Sequence, residues 1–209
     1  MSAPRLFSAL LDDIYQKVDG AALTLGMLNT ALHERGLGLF LFLFALPAAL
    51  PLPGLGINTI IALPLLLISG HIALGKERLW LPRALNQKTI KTANLQKAIL
   101  HAKPFIQKIE HIIRPRLGFI TQGAVSQFVG LCAFIMAIYV AIPLPLTNTV
   151  PSFGLALIGI GMVMRDGLLI IGGLLVGLFW IVLLTALILF LGAEAFDFLK
   201  QSISAILAA

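Results

Sequence analysis

The residues of this chain with chemical potential are few, and most of them lie at the ends of apolar runs. Arg165 and Asp166 stand together between two such runs. Charged side chains at membrane depth are usually functional, which would make the pair a gate or a substrate clamp. Their position equally suits an interfacial turn in which they set orientation and pair with each other, and position favours the turn. Polar side chains also gather beside two proline-rich breaks: Asn58 and Thr59 after the first, and Thr147, Asn148 and Thr149 at the second. Their oxygens can cap the free amides of the helix that follows, or meet a ligand. Gln122, Ser126 and Gln127 sit at one end of another apolar run, where they either line a polar path or glue helices together. Histidine is the side chain suited to proton handling, so His71 could serve there, but its place near the end of a run fits a hydrogen-bonded interfacial role better.

These groups do not assemble into an enzyme. The apolar runs hold no carboxylate pair, no metal cluster and no nucleophile–base arrangement, so no catalytic residue, metal or cofactor is expected. His33, His101 and His111 lie on amphipathic segments without ligand spacing. Cys132, the single cysteine, reads as a small buried hydrophobe. Gly172, Gly173 and Gly177 fall within an apolar run, where they serve close helix contact rather than a phosphate loop. No Asp or Glu falls inside a span, which argues against a carboxylate-driven cation antiporter.

The elements that would position these residues are membrane-grade. Of 209 residues, 59% are hydrophobic and 11% charged, and the mean hydropathy is +0.99. Soluble domains carry about a quarter charged residues. Residues 1–35 read as two amphipathic helices, the second stopped by Gly36, and the acidic Asp12, Asp13 and Asp19 exclude a signal peptide's apolar core. A first membrane hairpin spans 36–75, a basic amphipathic linker 76–116, a second hairpin 117–167, a transmembrane helix 168–192 and a tail 193–209. The expected class is an all-α integral membrane protein with two Pro-broken helical hairpins, a final transmembrane helix, and amphipathic N-terminal and linker helices.

The hairpins read as an internal repeat. Leu50-Pro51-Leu52-Pro53 recurs as Ile142-Pro143-Leu144-Pro145, and on that offset Leu63, Leu65 and Leu66 align with Leu155, Leu157 and Ile158. Each second limb ends at a charged turn. Proline removes a backbone donor and blocks helix continuation, so the chain breaks at Pro51, Pro53 and Gly54, and again at Pro143, Pro145 and Pro151. Broken backbone at membrane depth survives only where protein buries it or water reaches it. Matching interruptions in two halves point to a transporter-like arrangement with a polar site at the breaks.

Charge sets the orientation. Ten of the fifteen Lys and Arg residues lie between Lys76 and Arg116, with only Glu77 and Glu110 against them. This excess places the linker and the N-terminus in the cytoplasm and against anionic lipid headgroups. Nucleic acid is not expected, because membrane-grade sequence flanks the segment on both sides. Small size and Gly-rich helices are compatible with a homodimer.

Gly75-Lys76-Glu77-Arg78-Leu79-Trp80-Leu81-Pro82 and the run Pro143-Leu144-Pro145-Leu146-Thr147-Asn148-Thr149-Val150-Pro151, followed by Arg165-Asp166-Gly167, resemble the two half-signatures of the ExoD family. The resemblance covers nearly the whole chain. It implies a multi-pass protein of the bacterial inner membrane, linked to exopolysaccharide synthesis and to tolerance of alkaline conditions. It brings no catalytic residue and no substrate. The expected function is a transporter-like or channel-like protein of envelope polysaccharide or ion homeostasis. The alternative is a non-transporting accessory subunit that docks polysaccharide machinery.

Overall fold

A computed structural model describes residues 8–9, 12, 23–32, 34–50, 57–76, 78–80, 86–90, 96, 100–101, 103–104, 106–108, 113, 115–142 and 148–207, with side chains described for all of these except 23, 25, 28, 29, 31, 34, 57, 58, 90 and 193–207. Pro51, Pro53, Gly54, Pro143, Pro145 and Thr147 lie outside the described residues, as do much of the linker and most of the first amphipathic helix.

The described residues are helical, as the all-α expectation has it, apart from turns and one ladder of two-residue strands. Strand β1 (Leu23–Thr24) pairs antiparallel with β2 (Thr89–Ile90), Leu23 opposite Ile90. The Thr24 hydroxyl then accepts the Met27 amide at 3.3 Å and caps α1 (Leu25–Leu32). Lys103 donates to Asp12 at 2.7 Å, a second tie between the N-terminal segment and the linker. Both partners are partly exposed, so the ion pair contributes little energy and mainly fixes position.

Helix α2 (Glu34–Ala49) runs straight through Gly36, which is buried and stops nothing. Packing overrides the local signal. A Cβ on Gly38 would lie 2.7 Å from the Met162 Cβ and 2.8 Å from the Gly159 carbonyl oxygen, so the glycines let α2 settle onto a later helix. Helix α3 (Ile57–Ala73) follows the first break. After the linker, a 3-10 turn (Gly118–Thr121) leads into α4 (Gly123–Ala141). Helix α5 (Thr149–Met164) starts three residues before the apolar run that begins at 152. Pro151 sits in its first turn, where a missing amide breaks no helical bond. Helix α6 (Gly167–Leu207) continues beyond the expected end at 192, so the last span and most of the tail form one helix.

The four limbs form one bundle. α2 packs chiefly on α5, and α3 chiefly on α4, while the two limbs of each hairpin share smaller interfaces. Leu37, Leu41, Ala45 and Ala48 make the buried stripe of α2, and Val129, Ala133, Ala137 and Val140 that of α4. A Cβ on Gly130 would collide with the backbone of Ile72 and Ala73, and one on Gly159 would lie 2.6 Å from the Phe42 amide nitrogen. Both crossings therefore depend on bare backbone.

Both second limbs end in the same hydrogen-bonded motif. In α3, Gly75 takes φ 69° and the Lys76 amide reaches back to the His71 carbonyl at 2.9 Å. In α5, Arg165 takes φ 55° and the Asp166 amide reaches Gly161 at 2.8 Å. These are Schellman ends, and Arg165 occupies the left-handed position that glycine usually fills.

Helix α6 lies on α5 through Ile170 and Gly173, and Gly177 meets both Gly154 of α5 and Met136 of α4, all three being buried. Its other faces carry Leu175, Phe179, Val182 and Leu189 in the open, with Phe179 69% exposed. Two helical segments, Gly123–Ala141 and Gly167–Gly192, are long and apolar enough to cross a membrane.

Candidate functional site

The start of α3 and the end of α4, each bordering one of the proline runs, lie together at one end of the bundle. Thr59, in the first turn of α3, donates its hydroxyl to the Ala141 carbonyl at the end of α4, at 3.1 Å. The start of one hairpin's second limb therefore touches the end of the other hairpin's first limb. Asn58 lies within that same first turn, so neither it nor Thr59 precedes the helix as a cap. Asn148 is the N-cap residue of α5, but its side chain makes no cap bond; its carbonyl instead accepts the Ser152 amide at 3.0 Å. Thr149 opens α5, and Pro151 is buried one turn further in. Ser152 is fully buried, and among the described residues its hydroxyl has no hydrogen-bond partner. Buried polar groups are nearly always paired, which makes this hydroxyl the unanticipated feature of the tip end. A lone serine opening an apolar run gives no sequence signal.

Arg165 and Asp166 form the turn between α5 and α6. Asp166 is buried, and its carboxylate accepts the Leu168 amide at 2.9 Å, an N-cap on α6. Its backbone amide completes the Schellman end of α5, so the residue joins two helices. His71 is buried on α3 with Nδ1 2.7 Å from the Leu67 carbonyl, which assigns that nitrogen the proton. Its Nε2 is buried without a partner.

The opposite end of the bundle holds a cavity of about 180 Å³. Its floor is apolar, with Leu37 of α2, Ile72 of α3 and Met162 of α5. Its rim is polar, with Lys76 just after α3 and Ser126 and Gln127 on α4. Thr121 closes one wall, its hydroxyl donating to the Gly118 carbonyl at 2.8 Å. All four limbs contribute, although the lining residues span positions 37 to 162. Gln122 does not line it, whereas its neighbours in the sequence do. Among the described residues, no group of three His, Cys, Asp or Glu side chains is placed to hold a metal.

The arrangement is that of a helical protein with two membrane-length apolar helices and four limbs gathered around a polar-rimmed cavity. The family described as "Exopolysaccharide synthesis, ExoD" matches residues 7–186, and the chain belongs to the ExoD family. It is 31% identical to Protein ExoD of Rhizobium meliloti (strain 1021) over 196 residues, 92% of this chain and 80% of that protein. It is 30% identical to an uncharacterized protein of Synechocystis sp. over 172 residues, 82% of this chain and 81% of the other. No solved structure matches the chain.

Proposed function

We propose that this protein is a multi-pass inner-membrane component of exopolysaccharide synthesis, transporter-like in design, whose two broken hairpins meet at a shared polar site. The hydrogen bond from Thr59 to Ala141 is the observation that carries this reading. It joins the tip-bearing ends of the two hairpins within one bundle. The reciprocal packing of α2 on α5 and α3 on α4 is what a pseudo-two-fold axis between two repeats requires. The buried stripes of α2 and α4 also coincide on the 92-residue offset of the Leu-Pro motifs: Leu37 with Val129, Leu41 with Ala133, Ala45 with Ala137, and Ala48 with Val140.

Limb lengths support tips at membrane depth. The 16 or 17 residues of α2, α3 and α5 rise about 24–26 Å, short of the roughly 30 Å hydrocarbon core. The linker lysines hold the open ends of both hairpins at the cytoplasmic face. The N-terminal ends of α3 and α5 then bring positive helix dipoles to the tips, which favours an anion over a cation. Asn148, Thr149 and the unpartnered Ser152 hydroxyl supply polar groups there. The exposed apolar face of α6 belongs in lipid, because water would drive it to aggregate.

The test is flux through liposomes that contain only this protein, followed with an anion-sensitive dye. The wild type should conduct, and Asn148→Ala should lower flux several-fold at unchanged protein level, because the Asn148 side chain makes no cap bond to α5 that its removal would break. No flux from well-folded wild-type protein would favour the accessory-subunit reading, in which the basic linker docks polysaccharide machinery.

A further inference from the structure

We propose that the cavity at the end of the bundle opposite the tips is a phosphate-binding site, taking the phosphate of an anionic lipid headgroup or a free phosphate. This inference does not rest on transport. It rests on three side chains that surround one opening. Among the described residues, no hydrogen bond or ion pair engages the side chains of Lys76, Ser126 or Gln127. Together they offer an ammonium, a hydroxyl and an amide, all able to donate to oxygen. Among the described residues, no carboxylate lines the cavity. Lys76 is the one charged side chain among the described lining residues, and its positive potential disfavours a metal ion or organic cation and attracts an anion. Gly123, the first residue of α4, also lies in the lining, so the positive end of that helix dipole adds to the same potential.

Size and shape narrow the class. A volume of about 180 Å³ corresponds to roughly six water molecules at about 30 Å³ each, enough for a tetrahedral phosphate with part of its substituent. Phosphate offers several acceptor oxygens to donors arranged around a rim, whereas the apolar floor of Leu37, Ile72 and Met162 suits the carbon side of an ester. A lysine serves such a group as a point charge rather than as a planar fork. The fold holds the rim in place by bare backbone. Gly75 takes a left-handed φ of 69°, and a Cβ there would collide with the Gln127 amide, so glycine at this position keeps Lys76 and Gln127 on one opening.

The experiment uses the full chain in two settings and reads the thermal unfolding midpoint. In neutral detergent the probe is inorganic phosphate. In phosphatidylcholine nanodiscs the probe is a titrated fraction of phosphatidylglycerol. At least one probe should raise the wild-type midpoint by several degrees. A rise with phosphate alone assigns a soluble ligand, and a rise only with phosphatidylglycerol assigns a headgroup. Lys76→Gln should weaken the responding probe about tenfold, as expected for loss of a charge-assisted contact. Gln127→Leu should weaken it as well, and it decides the matter should Lys76→Gln fold poorly. Gln122→Leu, an exposed change outside the cavity, should leave the response unchanged. No response to either probe, or equal losses for Lys76→Gln and Gln122→Leu, would overturn the site.

Discussion

Gly130→Leu should leave almost no folded protein, and Gly159→Leu should do nearly the same. A Cβ on Gly130 meets the backbone of Ile72 and Ala73, and backbone in a helix cannot step aside as a side chain can. One on Gly159 would lie 2.6 Å from the Phe42 amide nitrogen and 2.7 Å from the Gly38 carbonyl oxygen. Overpacking a well-filled core commonly costs about 1–3 kcal/mol, and a clash with backbone at a helix crossing lies at or above the top of that range. Total stability is only about 5–15 kcal/mol, so either change removes a large share of it. Gly172→Leu is the control, because nothing lies within 4 Å of a Cβ at that position. Size-exclusion profiles and unfolding midpoints in detergent check all three. Equal behaviour of Gly130→Leu and Gly172→Leu would show that α3 and α4 do not pack backbone to backbone.

Neutralising the linker should disturb the orientation of the whole protein. Changing Lys88, Lys91, Lys97, Lys103 and Lys108 to Gln removes five of the ten positive charges between Lys76 and Arg116. At about 1 kcal/mol of attraction to an anionic leaflet per basic residue, the loss is about 5 kcal/mol. The acidic Glu194 and Asp197 at the other end of α6 do not replace that bias, because acidic residues count for little in topology. In a Cys132→Ser background, a cysteine at Gln96 should resist a membrane-impermeant reagent in intact cells carrying the native linker. With the five lysines neutralised, a substantial fraction should become labelled. Labelling of Gln96→Cys with the native linker intact would place the linker outside the cytoplasm.

The sequence disclosed the limbs well because their apolar runs are long and their ends are chemically marked. Proline forced the breaks, and Gly75 and Arg165-Asp166 marked the turns. Misreadings arose where tertiary contact overrides a local signal. Gly36 looks like a helix stop, yet the neighbouring Gly38 lets α2 lie on α5, so packing carries the helix through both. Asn148 looks like a side-chain cap, yet only its carbonyl serves α5. Asp166 was readable as an interfacial turn, but its use as the cap of α6 depends on the turn geometry after Arg165. The cavity was only half legible. Ser126 and Gln127 stand out as polar residues entering an apolar run, whereas Leu37, Ile72, Lys76 and Met162 join them only once four limbs assemble. No spacing in the chain links such distant positions.

The central claim is that the two hairpins meet at their broken ends inside one chain. It is tested most directly by a cysteine pair at Thr59 and Ile142 in the Cys132→Ser background, treated in native membranes with a short bifunctional maleimide. Thr59 already touches Ala141 across the hairpins at 3.1 Å. The bridge should therefore form within a single chain, giving a shifted monomer band and no dimer. Cysteines that both react with a monofunctional maleimide but never bridge, or that bridge only between chains, would contradict the meeting of the tips and the shared site built on it.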